Sequence, residues 1–339
     1  MTSHSPTPPG ITVIGAGSWG TALAIQFARS GQATRLWGRD EAQLGDMQRL
    51  RCNLRYLPDA RFPQSLQIAN SLDEALAQAR DVLVAVPSHA LRSTLESLKP
   101  RLGATTRLAW ATKGFEHETG KLPHQVAAEV LGADRRVAVL SGPTFAREVG
   151  AGLPTAMTIA ARDESYAREL AEAVAAPNFR AYTSTDIIGV EVGGAVKNAL
   201  AVGAGLADGL GFGANTRIAL ITRGLAEMVR LGVALGGERD TFMGLAGLGD
   251  LVLTCTDDLS RNRRFGLLLA SGHATNEALA RIGQVVEGYG AARAVRAVAT
   301  RHSVTMPIID GIYATLYEGV PAREVVHGLM TRPIKSETA

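Results

Sequence analysis

Short apolar runs alternate with helical spacing through the first half of the chain, and the alternation stops near Ser184. Residues 11–14 form a β-type run followed by a helical pattern over about 19–29, and residues 34–37 lead into a polar helical stretch from Glu41. Ser71 and Asp73 are placed to cap a short helix. Apolar runs at 82–86, 108–111 and 137–140 follow, and two more at 155–160 and 179–182 flank a helix that begins near Asp163. Runs that are apolar on both faces and separated by helices predict a mainly parallel sheet covered on both sides. After Ser184 no strand pattern recurs. Over 216–235, Ile218, Ile221, Leu225, Met228, Val229 and Gly232 fall on one side of a helix. Shorter helices are expected at 262–270, 291–301, 308–317 and 323–330, and the segments 2–9 and from Thr331 onward read as polar tails.

The change of pattern divides the chain into an α/β domain, residues 1–187, and an all-α domain, residues 188–339. No linker composition separates them, so close packing is expected. A length of 339 residues suits two domains, and 46% hydrophobic against 20% charged residues excludes a disordered chain. Lys plus Arg less Asp plus Glu gives 35 − 32 = +3. With no basic stripe and no aromatic platform, a nucleic-acid partner is not expected. The most apolar stretch, 187–207, is interrupted by Glu191, Lys197 and Asn198, which argues against an integral membrane segment. Cys52 and Cys255 are too few for a disulfide framework, and the seven histidines show no metal-ligand spacing, so no metal site is expected. The N-terminus lacks the basic and apolar regions of a signal peptide; a cytoplasmic protein with reduced thiols is the expectation.

The first strand runs directly into Gly15-Ala16-Gly17-Ser18-Trp19-Gly20, a G-x-G-x-x-G that opens an apolar helix. In this context each glycine has a task. Gly15 permits the tight turn, Gly17 lets a pyrophosphate approach the backbone, and Gly20 allows the helix to pack on the strand. The free N–H groups and dipole of the helix start then favour a diphosphate, which makes the α/β domain Rossmann-type. At the end of the second strand an acidic residue would bind a ribose 2′-OH and repel a 2′-phosphate. Gly38 and Arg39 stand there instead, leaving room and a guanidinium. NADPH is therefore expected, with NADH possible, since a one-residue shift brings Asp40 into play.

Pro87-Ser88-His89, Thr112-Lys113-Gly114 and Ser141-Gly142-Pro143-Thr144 each follow an apolar strand, at the edge where open α/β sheets bind ligands. Lys113 either meets an anion there or is solvated, and His89 reads as polar filler. Lys197 lies in a helix that looks buried nearly all round, where an ammonium must be paired or lose its charge. A general acid for carbonyl reduction meets that description; so do a structural ion pair with Glu191 or Asp250, and a snorkelling side chain. Ser260 is placed as an N-cap, and with Arg261 and Asn262 it would make an anion site at a helix start. Arg263 and Arg264 read as a solvated basic face. Asp250 would bind a substrate hydroxyl, hold Lys197, or cap a helix.

Taken together, Gly15 to Ala24, Thr112-Lys113-Gly114, Ser141 to Ala146, Val196-Lys197-Asn198, Ser260-Arg261-Asn262 and Val285 to Gly288 resemble bacterial NAD(P)-dependent glycerol-3-phosphate dehydrogenase. The resemblance runs over nearly the whole chain. It implies reversible reduction of dihydroxyacetone phosphate to sn-glycerol 3-phosphate for phospholipid synthesis, with Lys197 as proton donor and acceptor. It implies a substrate site of Lys113, Gly142, Thr144, Asp250, Ser260, Arg261 and Asn262. It also places Ser18, Trp19, Arg39, Tyr56, Lys113, Ala146, Arg261, Val285 and Glu287 against NADPH. Thr144 stands where a serine is also usual, which keeps the hydroxyl. Two other readings stay open from the residues: a two-domain hydroxyacid dehydrogenase, and a non-catalytic NADPH-binding sensor. A homodimer also stays open.

Overall fold

A computed structural model describes residues 10–334 and 336; the tracts at 1–9 and 337–339, and Lys335, lie outside the described residues. The first half runs β1 (Ile11–Ile14), α1 (Ser18–Arg29), β2 (Thr34–Trp37), α2 (Glu41–Leu50), β3 (Cys52–Asn53), β4 (Leu57–Arg61), β5 (Leu66–Ile68) and α3 (Leu72–Leu76). It continues through β6 (Asp81–Val84), α4 (Leu91–Leu98), β7 (Arg107–Trp110), α5 (Pro123–Leu131), β8 (Val137–Ser141), α6 (Ala146–Ala151), β9 (Thr155–Ala160), α7 (Glu164–Val174) and β10 (Phe179–Ser184). The second half is α8 (Ile187–Gly209), α9 (Gly213–Ala234), α10 (Asp250–Thr256), α11 (Arg261–Ala270), α12 (Thr275–Ile282), α13 (Glu287–Arg301), α14 (Pro307–Tyr313) and α15 (Ala322–Met330). Two compact units emerge: Met1–Glu116 with Lys121–Glu191, and His117–Gly120 with Val192–Ala339, so the division falls inside α8.

In the first unit eight strands form one sheet in the order β10-β9-β8-β7-β6-β1-β2-β5. Every pairing is parallel except β8 with β9. β1, β6 and β7 are buried at every position, which is why they are mostly apolar; the buried Asp81 and Arg107 that open β6 and β7 pair with each other at 2.7 Å. From β1 the chain builds outward through β2 to β5, then returns to build the other half from β6. The order therefore reverses between β1 and β6, and the carboxyl ends of these strands open a crevice there. Ser71 caps α3 by accepting from the Glu74 N–H at 3.1 Å. Asp163 caps α7 by accepting from Ser165 at 3.0 Å. Asp73, the other expected cap, lies within the first turn of α3 and pairs with Arg101 instead. Three short strands went unanticipated: β3 and β4 form an antiparallel pair, and β5 joins the edge of the large sheet. β3 and β5 are too short to display a period, and β4, Leu-Pro-Asp-Ala-Arg, is mostly polar and exposed.

The second unit is helical. α8 is long and apolar enough by composition to cross a membrane, but 94% of its most apolar 18-residue stretch is buried in the protein. On α9, Ile221, Leu225, Met228 and Val229 are buried as the spacing predicts; Ile218 is not, being 57% exposed. It sits in the first turns, where the helix has left the core. The helix expected over 308–317 ends at Tyr313 and continues as a single π-helical turn, Ala314–Glu318.

Backbone contact without side chains holds α8 to α11. A Cβ on Gly205 would stand 2.0 Å from the Arg263 carbonyl oxygen, and one on Gly266 2.2 Å from that of Val202. Neither neighbour is a flexible side chain that could move away. Gly266→Ala is accordingly expected to lower stability by about 1–3 kcal/mol or more, read as a fall in the urea midpoint with the slope unchanged.

Candidate active site

In the first unit the dinucleotide cradle is assembled at the end of β1. Gly15 has φ +117°, in the region that favours glycine, and a Cβ there would meet the Ala85 carbonyl oxygen, just beyond β6, at 2.6 Å. A Cβ on Gly20 would stand 1.9 Å from the Gly15 oxygen, whereas one on Gly17 would meet nothing within 4 Å. The loop is thus packed from below at Gly15 and Gly20 and open above at Gly17. No side chain caps α1, and its first turn holds no acidic residue, so Ser18 and Trp19 open a helix start that suits an anion. The Trp19 Nε1 is buried with no hydrogen-bond partner. A closed turn, an open glycine, an uncapped helix start and an orphaned donor together fit a dinucleotide diphosphate.

Two residues beyond the motif hold this loop in place. The Asn53 amide donates to the Ala16 oxygen at 3.0 Å and the Thr21 hydroxyl at 2.8 Å, and Gln43 also donates to the Ala16 oxygen at 2.8 Å. The Asn53 Oδ1 accepts from the Tyr56 N–H at 3.2 Å, tying Tyr56 to the same loop. A G-x-G-x-x-G pattern carries no information about partners more than 20 residues away, so neither was legible. Arg39 is exposed after β2. Asp40, beside it, accepts from the Gln43 N–H at 3.0 Å and pairs with Arg55 at 3.3 Å: the acid is the N-cap of α2.

The loops after β7 and β8 meet. The Lys113 Nζ donates to the Gly142 oxygen at 3.2 Å, and the Thr144 hydroxyl donates to the same oxygen at 3.2 Å. Gly142 has φ +142°, and Ala146 opens α6 immediately after. His89 is exposed on a short 3₁₀ turn.

In the second unit Lys197 lies on α8 and is 7% exposed. Its ammonium donates to the Asp250 carboxylate at 2.5 Å and to the Thr254 hydroxyl at 3.0 Å. Asp250 and Thr254 are four residues apart on α10 and so share a face. Thr254 was not anticipated; its signal was that spacing from Asp250. Glu191 is not the partner of Lys197. It accepts from the Trp110 indole at 2.9 Å and pairs with His124 at 2.6 Å, while burial pushes its pKa up. The snorkelling alternative is likewise excluded by the burial of the amine. Cys255, beside this cluster, has its thiol pushed up to about 12 by burial and stays protonated.

Ser260 caps α11 by accepting from the Arg263 N–H at 3.2 Å. Asn262 donates to the Asn198 Oδ1 at 2.9 Å and accepts from the Gly288 N–H at 2.9 Å. It thereby ties the starts of α11 and α13 to the residue after Lys197. Arg261 donates to the Gln284 side-chain oxygen at 3.1 Å, and burial lowers its pKa, with Glu287 opposing that shift. A desolvated guanidinium held by an amide rather than a carboxylate suits an incoming anion. Val285 is 43% exposed, and Glu287 opens α13. Arg263 corrects the expectation of a solvated basic face: it is buried and pairs with Asp208 at 2.7 Å and with Asp258. Arg264 alone is exposed. Among the described residues no cluster of histidine, cysteine and acidic side chains could hold a metal ion.

A family model described as NAD-dependent glycerol-3-phosphate dehydrogenase N-terminus matches residues 10–167, and its C-terminus counterpart matches residues 186–327. The glycerol-3-phosphate dehydrogenase [NAD(P)+] of Pectobacterium carotovorum is 54% identical over 330 residues, 97% of each chain. That of Edwardsiella ictaluri is 53% identical over 97% of this chain and 98% of its own. A crystal structure of glycerol-3-phosphate dehydrogenase from Coxiella burnetii is 45% identical and superposes with a TM-score of 0.92, covering 96% of this chain and 99% of that one.

Asp250→Asn removes the carboxylate that pairs with the buried Lys197 while keeping its shape. Asp250→Asn is expected to cost about 3–5 kcal/mol of stability at pH 7, against about 1–3 kcal/mol for Thr254→Val. Urea unfolding of both variants checks the order; equal losses would mean that the ion pair carries no special weight.

Proposed function

Because the chain belongs to the NAD-dependent glycerol-3-phosphate dehydrogenase family, we propose that it reversibly reduces dihydroxyacetone phosphate to sn-glycerol 3-phosphate with Lys197 as proton donor and acceptor. It is an NAD(P)-dependent oxidoreductase acting on a small phosphorylated substrate. The functional domains we assign are 1–187 for the dinucleotide and 188–339 for substrate and catalysis. A bound NADPH supplies the hydride to the ketone carbon. Gly15, Gly17, Ser18, Trp19 and Gly20 would hold its diphosphate, with Tyr56, Lys113, Ala146, Arg261, Val285 and Glu287 as its further contacts. Arg39 would take the 2′-phosphate.

The observation that carries the reading is the buried ammonium of Lys197 between Asp250 and Thr254. Paired with a carboxylate at 2.5 Å, it would be a proton donor positioned before substrate arrives. As the hydride reaches the carbonyl carbon, the Lys197 proton passes to the oxygen and the C–O double bond becomes a single bond; the reverse reaction returns that proton to the amine. Asp250 keeps the nitrogen in place and stabilises its charge. Arg261, Asn262 and the α11 start would grip the phosphate and orient the carbonyl, while Lys113, Gly142, Thr144 and Ser260 complete the substrate site. Location in the cytoplasm belongs to the same proposal, supported by the free, buried thiols of Cys52 and Cys255. So does a homodimer, for which the exposed Ile218 and Val233 of α9 would supply apolar surface.

The direct test is oxidation of NADPH on adding dihydroxyacetone phosphate to the purified protein, with simple 2-keto acids as competitors. Turnover confined to the keto acids would favour the hydroxyacid reading. Lys197→Met is expected to lower kcat by about 10²–10⁴-fold with the NADPH Kd unchanged. An undiminished kcat would remove Lys197 as the proton donor, and no turnover in the parent protein would leave the sensor reading. Arg39→Ala is expected to weaken NADPH by about tenfold and leave NADH as it was, the loss of one charge-assisted contact; equal effects on both cofactors would remove the 2′-phosphate assignment.

A further inference from the structure

A cavity of about 350 Å³ lies wholly within the helical unit, between α8, α9, α14 and α15. Leu206, Leu220, Ile312, Val325 and Leu329 supply much of its wall. Its ionisable lining is unusual: Arg223 and Arg230 from α9, Arg332 from beyond α15, and one acid, Glu227. The size falls at the lower end of the roughly 300–1,000 Å³ typical of small-molecule sites.

The site is separate from the catalytic cluster. Gly203, Leu206 and Ala207 of α8, with Leu210 just beyond its end, line the cavity, on a side about 130° around the helix from Lys197 at 3.6 residues per turn. None of Lys197, Asp250 and Thr254 contributes to the lining.

Glu227 does not cancel the arginines. It accepts from the Ile308 N–H at 2.8 Å and the Ile309 N–H at 3.2 Å, capping α14 from across the unit. Burial nevertheless pushes its pKa up to about 7, with Asp310 of α14 adding to the rise and Arg230 and the two N–H groups opposing it. Arg223 on its own helix and Arg332 also belong to the lining, while α8 contributes no ionisable group to it. Below neutrality the cavity is therefore apolar and carries cationic guanidiniums and a neutral acid. Each guanidinium has five N–H donors in a planar fork, so Arg230, which gives one to the Thr305 oxygen at 3.0 Å, retains donors for a ligand.

We propose that this cavity binds a small amphiphilic anion: an unbranched apolar body of medium length ending in one carboxylate or phosphate, with the body among Leu206, Leu220, Ile312 and Leu329 and the head on the arginines. A neutral amphiphile would forgo the charge-assisted hydrogen bonds that the half-buried Arg230 offers an anion, and a cationic one would be repelled.

Calorimetric titration of the full-length protein at pH 6.5 with decanoate, decyl phosphate, 1-decanol and decyltrimethylammonium tests this. Both anions are expected to bind one per chain, at least tenfold tighter than the alcohol or the cation. Leu220→Trp, which narrows the cavity by the bulk of an indole, should abolish binding. Arg230→Gln, which leaves the cavity open, should weaken the anions at least fivefold and leave the alcohol unchanged. Raising the pH to 8.5 ionises Glu227 and should weaken decanoate several-fold in the parent but not in Glu227→Gln. Equal affinity for decanol, binding that survives Leu220→Trp, or no saturable binding, as when a second copy covers this wall, would each overturn the proposal.

Discussion

An ammonium inside an apolar helix dictates much of the second unit. Removing a charge from water costs several kcal/mol even after relaxation, and only a close, well-oriented counter-charge offsets it. Asp250 must therefore reach Lys197, and the backbone that brings it there is unusual. The chain ahead of α10 forms a π-helical turn, Leu245–Gly249, which passes directly under α8. A Cβ on Gly193 would stand 2.4 Å from the Ala246 carbonyl oxygen, so the approach exists only because that face of α8 is bare. Gly247 repeats the requirement against Phe242, at 2.2 Å from its oxygen. The glycines and the ion pair form one device: the first permit the distance that the second needs.

The two helix starts offered to anions differ in construction, and the difference follows from what each would hold. α1 has no side-chain cap and no acid in its first turn, leaving backbone N–H groups to a diphosphate. α11 is capped by Ser260 and adds the partly desolvated Arg261, with Asn262 fastened between Asn198 and Gly288. A diphosphate spans several donors and needs little else. A monoester must be gripped at one end so that its carbonyl is aimed, and a rigid guanidinium suits that task.

Most of the framework was legible because it rests on local patterns. Buried parallel strands read as apolar runs, caps as Ser71 and Ser260, the start of α7 as Asp163, and the cradle as three glycines between a strand and a helix. What escaped depends on contacts between distant segments. β3 and β5 have two and three residues, too few for a period. Asn53 locks the cradle from 37 residues beyond Ala16. Arg263 looked solvated because it stands in a basic tetrad, but its partner Asp208 lies 55 residues earlier. Asp40, two-sided in the sequence, is occupied as a cap and an ion-pair partner, which leaves Arg39 as the group at the β2 end.

Lys197 and Glu191 together explain why α8 carries charges although its composition would suit a membrane. Each is matched by a segment remote in sequence: Glu191 by Trp110 and His124 within the first unit, Lys197 by Asp250 and Thr254 within the second. A purely apolar helix would be at least as stable, since buried ion pairs rarely outperform hydrophobic packing. What the charges add is register. An apolar helix can slide or rotate against apolar neighbours at modest cost, whereas one with a carboxylate and an ammonium at fixed positions loses both pairings if it turns by a single residue. The amine proposed to deliver the proton is thereby held in one place by the same interactions that keep its helix from moving.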